Sequence, residues 1–205
     1  MNLHRKIVTV GSVLLITALL NGCGSGSNNN ENSSVENEGE GSNIPYLRDN
    51  HANYSEHGST QTPAPTKDAN AKSINWTISA STEEGAEKLA VHIDYMTEQL
   101  QAGENPRAWD KLFLMEAYMK VNGYYTTEVE RSGINVVISK NANTACAYEV
   151  ISAHSDAVSG DFFAQGDINN DYSSTAESIL ASSACDAERD SITSYISSRQ
   201  RGRGN

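Results

Sequence analysis

The chain has 205 residues and a formal net charge of −11, which is room for one modest domain with extensions. So acidic a balance argues against general nucleic-acid binding and against attachment to anionic lipid through basic residues, because both need positive surface. A mean hydropathy of −0.51 excludes a polytopic membrane protein.

Residues 1–22 have the three parts of a secretory signal peptide. Arg5 and Lys6 give the start a positive charge, and residues 7–20 form a mostly apolar stretch that is too short to cross a bilayer comfortably. A small residue, Gly22, ends the segment. We therefore expect export from the cytoplasm and removal of this segment.

The four residues Leu20-Asn21-Gly22-Cys23 resemble the lipobox of bacterial lipoproteins. The resemblance implies cleavage before Cys23 and acylation of that cysteine with a diacylglycerol and a further fatty acid such as palmitate, which together anchor a protein stably. Gly24 in place of Asp resembles the lipoproteins that are sorted to the outer membrane. The alternative is an ordinary signal peptide in which Cys23 has no role.

The stretch from Cys23 to residue 73 has the composition of a flexible tether. It is rich in Asn, Ser, Gly and Glu, and it holds three of the four prolines of the chain. So little apolar surface cannot offset the entropy cost of ordering the segment. Its two histidines, His51 and His57, are interpreted as solvated loop residues.

A small antiparallel sheet is predicted within residues 74–198, the single compact domain. Apolar and polar residues alternate at 74–78, 125–129 and 134–138, which is the period of a strand. Gly133 lies between the last two segments, so these are predicted to form a hairpin that the first segment can join as a third strand.

About four helices are predicted around this sheet. The first covers 82–100, and the second covers 106–121 with Asn105 as its N-cap. The short connection between them predicts an antiparallel helical hairpin. A third helix is expected over 143–158 and a fourth over 174–198, with a frayed basic tail after it. The fold class is therefore α+β and mostly α.

Cys146 and Cys185 are the only thiols that remain once Cys23 is acylated. An even pair in an exported domain predicts a disulfide, which would join the third and fourth predicted helices. Two buried free cysteines and a reactive pair are the alternatives. The C-x-x-C spacing of a thioredoxin-like site is absent.

Residues 167–171 resemble the opening of a calcium loop of the EF-hand or dockerin type. The resemblance implies Asp167, Asn169 and Asp171 as oxygen ligands. The sequence departs from the pattern at the sixth position, where Tyr172 replaces glycine, and at the twelfth, where the acid is missing. The alternative is a turn in which Asn and Asp side chains cap their own backbone.

Histidines are the plausible bases of an enzyme, but no catalytic residue is assigned. His92 is expected at the edge of the first helix, and His154 on the apolar side of the third, eight residues after Cys146 and thus too far along the helix for proton transfer to it. No short catalytic motif is present. An enzyme would need a site assembled from distant residues around His154 or His92.

The sequence therefore predicts a lipid-anchored envelope protein whose domain is a non-enzymatic interaction or assembly module. We expect the membrane and a protein of the envelope or surface as its partners, and neither a cofactor nor nucleic acid. An assembled enzyme site and a calcium-dependent module through Asp167–Asp171 are the alternatives.

Overall fold

A computed structural model describes residues 64–105, 107–163 and 169–201. Within these ranges the chain is a mixed α/β fold with one sheet and five α-helices. The strands are β1 (Thr66–Asp68), β2 (Ser73–Ser79), β3 (Tyr125–Ser132) and β4 (Asn135–Ala142). The helices are α1 (Glu83–Gln101), α2 (Lys111–Val121), α3 (Ala145–Ala157), α4 (Ser173–Ala181) and α5 (Arg189–Arg201). A π-helical turn (Val158–Phe163) follows α3, and a 3-10 turn (Ser183–Cys185) lies between α4 and α5.

The sheet is antiparallel throughout and has the strand order β1-β2-β4-β3. The hairpin of β3 and β4 is as predicted, and Gly133 adopts a φ of 59° in its tight turn, a conformation that favours glycine. β2 joins the hairpin as the expected third strand. β1 adds a fourth strand, so the predicted number of strands, two or three, was too low.

One face of the sheet carries the core. Ile74, Trp76 and Ile78 of β2 are buried, and Trp76 lies opposite Ile138 of β4. The alternate positions, such as Asn75, are polar and more exposed, as expected for a sheet covered on one side. The helices α1 and α3 pack against this sheet.

Hydroxyl caps begin the first and third helices, close to the starts predicted at residues 82 and 143. Oγ1 of Thr82 accepts a hydrogen bond of 3.0 Å from the backbone N–H of Gly85, and Oγ1 of Thr144 accepts one of 3.1 Å from Ala147. The contact between α1 and α2 agrees with a helical hairpin. The antiparallel sense of that pair stays a prediction.

The predicted start of the second helix was wrong. The helix α2 begins at Lys111, and its N-cap is Asp110, whose Oδ1 accepts a 2.8 Å hydrogen bond from the N–H of Leu112. Asn105 instead accepts from the N–H of Arg107, two residues on, and so closes a turn. An asparagine side chain can cap a turn as well as a helix, which is why the sequence signal was ambiguous.

The predicted fourth helix is two helices, α4 and α5. Ser182 adopts an extended conformation that ends α4. The guanidinium of Arg189 then donates hydrogen bonds to the carbonyls of Leu180 and Ser182, so it satisfies groups that a longer helix would have bonded internally.

The folded part also begins earlier and ends later than predicted. β1 lies within the expected tether, and α5 includes Arg199 and Arg201 of the expected tail. Residues 1–22, the predicted signal peptide, and residues 23–63 lie outside the described residues. In the part of the chain that the structure describes, no helix has both the length and the apolar character needed to cross a membrane.

Candidate functional site

A cavity of about 130 Å³ lies between the sheet, α1, α2 and α3. Most of its wall is apolar or aromatic, and it comprises Trp76, Ile93, Met96, Leu100, Trp109, Phe113, Ile138, Val158 and Phe162. The polar residues of the lining are His92, Thr97, Asn105, Arg107, Glu116, Thr127, Lys140 and His154. A concave apolar surface with a few polar groups is the usual form of a small-molecule site.

Glu116 is the centre of a buried charge cluster on this wall. It is 0% exposed, because the part of α2 that holds it is buried around its whole circumference. Nζ of Lys140 lies 2.5 Å from Oε1 of Glu116, and the hydroxyl of Tyr125 donates a 3.0 Å hydrogen bond to the same oxygen. Burial of a carboxylate requires such partners, since an isolated buried charge is costly.

His154 on α3 contacts the other carboxylate oxygen of Glu116. Its Nε2 lies 2.8 Å from Oε2 of Glu116, and its ring meets that of Phe113 edge to face with centroids 4.6 Å apart. Since a carboxylate only accepts hydrogen bonds, the contact assigns the proton of the neutral imidazole to Nε2. The Nδ1 atom is then a hydrogen-bond acceptor.

Burial and charge set the protonation states of this cluster. Burial lowers the pKa of His154 and outweighs the opposing effect of Glu116, so the ring is neutral at pH 7. Burial acts to raise the pKa of Glu116, but the neighbouring His154 and Lys140 hold it well below its usual value. Burial and the Glu116 carboxylate raise the pKa of Tyr125. At neutral pH Glu116 is therefore an anion that pairs with Lys140.

Arg107 and Asp110 form a second ion pair at the cavity, on the connection between α1 and α2. The guanidinium carbon of Arg107 lies 4.1 Å from the ring centroid of Phe113, a cation–π contact. Its Nη2 lies 3.4 Å from Oδ2 of Asp110, which also accepts a 3.0 Å hydrogen bond from the N–H of Tyr172. Asp110 thus ties the Arg107 segment to the start of α4.

The π-helical turn contributes the opposite wall. The ring of Phe162 stacks on His92 of α1 with centroids 5.5 Å apart. Beside it, Asp161 accepts hydrogen bonds from the hydroxyl of Tyr172 and from Nδ2 of Asn170. Burial and the Asp161 carboxylate raise the pKa of Tyr172 to about 12, so its hydroxyl stays protonated as a donor.

Several lining residues, among them Trp76, Asn105 and His154, contain a buried polar atom that forms no hydrogen bond within the described part of the chain. Among the residues that the structure describes, none forms a hydrogen bond to Nε1 of Trp76, Nδ2 of Asn105 or Nδ1 of His154. Such atoms are rare in folded proteins, because each one costs free energy. All three lie on residues of one cavity, which points to a molecule that supplies the missing hydrogen bonds.

Both histidines singled out from the sequence line this cavity. His154 is on the apolar side of α3, as expected, but His92 is only 7% exposed rather than at a helix edge. Glu116, Lys140 and Arg107 were not among the site residues predicted from the sequence. Glu116 was the sequence signal that could have revealed this cluster. It is a lone acid within an apolar helical stretch, and a buried acid requires a buried partner.

The calcium-loop residues are only partly described. Asp167 lies outside the described residues, while Asn169 and Asp171 are exposed. Oδ1 of Asp171 accepts a 2.9 Å hydrogen bond from the N–H of Ser173, and hydrogen bonds from Ser173 lower the pKa of Asp171. This is the backbone capping of the alternative interpretation. In the described ranges no three His, Cys, Asp or Glu side chains form a metal cluster. Calcium binding stays a prediction.

Cys146 and Cys185 have the proximity that a disulfide requires. Their Cα atoms are 4.6 Å apart, and both residues are fully buried. Cys146 lies in the first turn of α3, and Cys185 ends the 3-10 turn. The pair therefore joins α3 to the connection between α4 and α5. Cys23, the predicted acylation site, lies outside the described residues.

Comparison with known proteins gives no family to which the chain can be related. No family model matches it, and no curated protein and no solved structure shows significant similarity to it.

Proposed function

We propose that the protein is a binding module of the bacterial cell envelope, anchored at the outer membrane through an acylated Cys23. In this proposal, the cavity beside Glu116 and His154 binds a small ligand. The observation that carries it is the combination of aromatic walls with unpartnered buried polar atoms on Trp76, Asn105 and His154. An apolar wall supplies affinity, and a few polar groups orient the ligand.

The anchor and the tether fit such a role. The lipobox-like Leu20-Asn21-Gly22-Cys23 supports acylation, and the polar composition of residues 24–63 supports a flexible connection. A coil of that length spans about 35 Å end to end, which is enough to hold a folded domain away from a lipid surface. The module would then meet both a soluble ligand and a protein partner in the envelope.

Ligand binding is tested with benzene, because a cavity of this size suits one ring. We expect benzene to raise the melting temperature of the protein, since it binds the folded state only. Thr97→Phe would fill the cavity and remove the effect. Val91→Phe, at an exposed position of the same helix, is the matched control and would leave it intact. An unchanged melting temperature at saturating benzene would refute a ligand cavity.

Anchoring is tested by Cys23→Ser in cells. We expect the unaltered protein in the outer-membrane fraction with incorporated palmitate, and the variant in the soluble fraction without it. Cys146→Ser is unsuitable as a control because it removes a buried residue. Instead, Ser25→Cys is introduced into the Cys23→Ser variant, which tests whether the cysteine must stand at position 23. Membrane recovery of the Cys23→Ser variant would contradict acylation there.

An enzyme is the second candidate, and the contact between Glu116 and His154 favours it. A carboxylate on one ring nitrogen orients the imidazole and leaves Nδ1 as a base. In ester hydrolysis, Nδ1 would take a proton from water as the oxygen of that water bonds to the carbonyl carbon. The tetrahedral intermediate would then break its bond to the alkoxide, which would receive the proton from Nδ1 as it leaves. p-Nitrophenyl acetate is the probe. Turnover that His154→Gln abolishes and His92→Gln preserves would support an enzyme, and turnover equal in both variants would exclude this role.

A further inference from the structure

The size and the walls of the cavity indicate the size and polarity of the main part of its ligand. A cavity of about 130 Å³ is close to the volume at which an engineered apolar cavity binds benzene. Trp109, Phe113 and Phe162 present aromatic rings to it. The body of the ligand is therefore apolar and about the size of one ring.

The unpartnered atoms determine its polar groups. Nε1 of Trp76 and Nδ2 of Asn105 can only donate hydrogen bonds, so they call for acceptor atoms on the ligand. Nδ1 of His154 is an acceptor, because Nε2 faces the Glu116 carboxylate. A hydroxyl group serves both kinds of partner, since it donates one hydrogen bond and accepts others.

The charges of the lining determine that the ligand is neutral. Lys140 pairs with Glu116, and Arg107 pairs with Asp110, so the charges of the two pairs cancel. A charged ligand would lose its hydration without gaining an uncompensated counter-charge. A neutral ligand avoids this cost.

We propose that the cavity binds a neutral, ring-sized aromatic or cyclic alcohol whose hydroxyl group donates a hydrogen bond to Nδ1 of His154. This inference rests on the proposed ligand-binding function and adds the chemical class of the ligand to it. The hydroxyl oxygen would then accept a hydrogen bond from a donor of the same lining, Nε1 of Trp76 or Nδ2 of Asn105.

The experiment compares benzene, phenol and benzoate as ligands of the mature chain carrying Cys23→Ser, which removes only the lipid. Dissociation constants come from calorimetric titration, and quenching of tryptophan emission locates binding, because Trp76 and Trp109 are the only tryptophans and both line the cavity. We expect phenol to bind about tenfold more tightly than benzene, since the hydroxyl group pairs a buried acceptor. Benzoate should bind most weakly.

Variants test the role of His154 in this preference. His154→Phe keeps an aromatic ring beside Phe113 but lacks Nδ1, and it should reduce the ratio of the two affinities to about one. Val91→Phe, at an exposed position of α1 outside the lining, is the control and should keep the tenfold ratio.

A pH titration of the unaltered protein tests the same point without a substitution. Protonation of His154, which faces Glu116, Lys140 and Arg107 and shares the cavity with His92, turns Nδ1 into a donor. The preference for phenol should therefore disappear in acid while the affinity for benzene stays constant.

The outcomes separate this inference from the function on which it rests. Equal binding of benzene and phenol would overturn the hydroxyl assignment and leave a ligand cavity established. Tightest binding of benzoate would overturn the assignment of a neutral ligand. Failure of all three probes to bind would overturn both the inference and the proposed function.

Discussion

Oε2 of Glu116 lies 2.8 Å from Nε2 of His154, and the contact joins the buried helix α2 to α3 at the wall of the cavity. Lys140 approaches the other oxygen of the same carboxylate from β4. The cluster thus connects three elements through one buried side chain. Because every partner of Glu116 is itself nearly buried, the stability of the fold and the chemistry of the cavity depend on the same residue.

Glu116→Gln is expected to destabilise the protein by about 3–5 kcal/mol, because it leaves the Lys140 ammonium buried without its counter-charge. Urea unfolding followed by tryptophan emission gives the free energy. Glu87→Gln, at an exposed position of α1, is the control and should change it by less than about 0.5 kcal/mol. Similar losses in the two variants would contradict a buried ion pair.

The double variant Glu116→Leu/Lys140→Met is expected to be more stable than Glu116→Leu alone. Removing both charges leaves no unpaired ion, and apolar side chains of similar size can replace a buried pair at little cost. The same unfolding measurement applied to both single variants and the double variant gives the coupling energy. Strictly additive losses would show that the two side chains act independently.

Stability is expected to fall as the solution becomes acidic. Burial lowers the pKa of His154 in the folded state below its ordinary value of 6.5, so below pH 6.5 the unfolded chain binds the proton more readily. The contribution of His154 is therefore present above pH 6.5 and is lost on acidification. The lowered pKa of Glu116 acts in the same direction below its ordinary value of 4.5.

Unfolding free energies measured between about pH 7.5 and 5 test this dependence, a window in which His154 titrates before Glu116. His154→Gln should flatten the pH dependence in this range. A loss of stability that is just as steep in His154→Gln would assign the acid sensitivity to another group.

Local sequence patterns predicted the helices and strands of this fold better than they predicted which helices and strands contact each other. Alternation at Ile74, Trp76 and Ile78 identified β2, and the helix starts predicted at residues 82 and 143 lie within one residue of the N-caps Thr82 and Thr144. These signals depend on residues that are neighbours along the chain. The break at Ser182 was not visible, because it depends on Arg189, which bonds to carbonyls that precede it in the sequence.

The site was harder to predict because its residues come together only in the folded chain. His154 was identified as the polar residue on an apolar helix face, but its partner Glu116 belongs to another helix. Lys140 continues the inward-facing series of Val136 and Ile138 on β4, so the alternation itself places a cation in the core. The sequence shows two charges at positions expected to be buried, and their contact exists only in the tertiary structure.

Asp110→Ala is expected to cost about 3 kcal/mol of stability, because it removes an N-cap and leaves the Arg107 guanidinium without its carboxylate. Asp94→Ala, at an exposed position of α1, should cost less than about 0.5 kcal/mol. Since Arg107 lines the cavity, Asp110→Ala should also weaken the binding of benzene. Unchanged stability would show that the buried carboxylate is replaceable.

Removal of the bond between Cys146 and Cys185 is expected to cost about 4 kcal/mol, since their separation of 39 positions closes a long loop in the unfolded chain. The measurement compares urea unfolding of the oxidised protein with that of the protein unfolded and refolded under reducing conditions. Cys146→Ala/Cys185→Ala gives the same comparison without reductant. Alkylation of the unfolded, unreduced protein distinguishes the alternatives: a disulfide leaves both cysteines unmodified, whereas two buried free thiols each gain the label. Labelling of both residues in protein isolated from the envelope would refute the disulfide, and reduction would then have no effect on the unfolding midpoint.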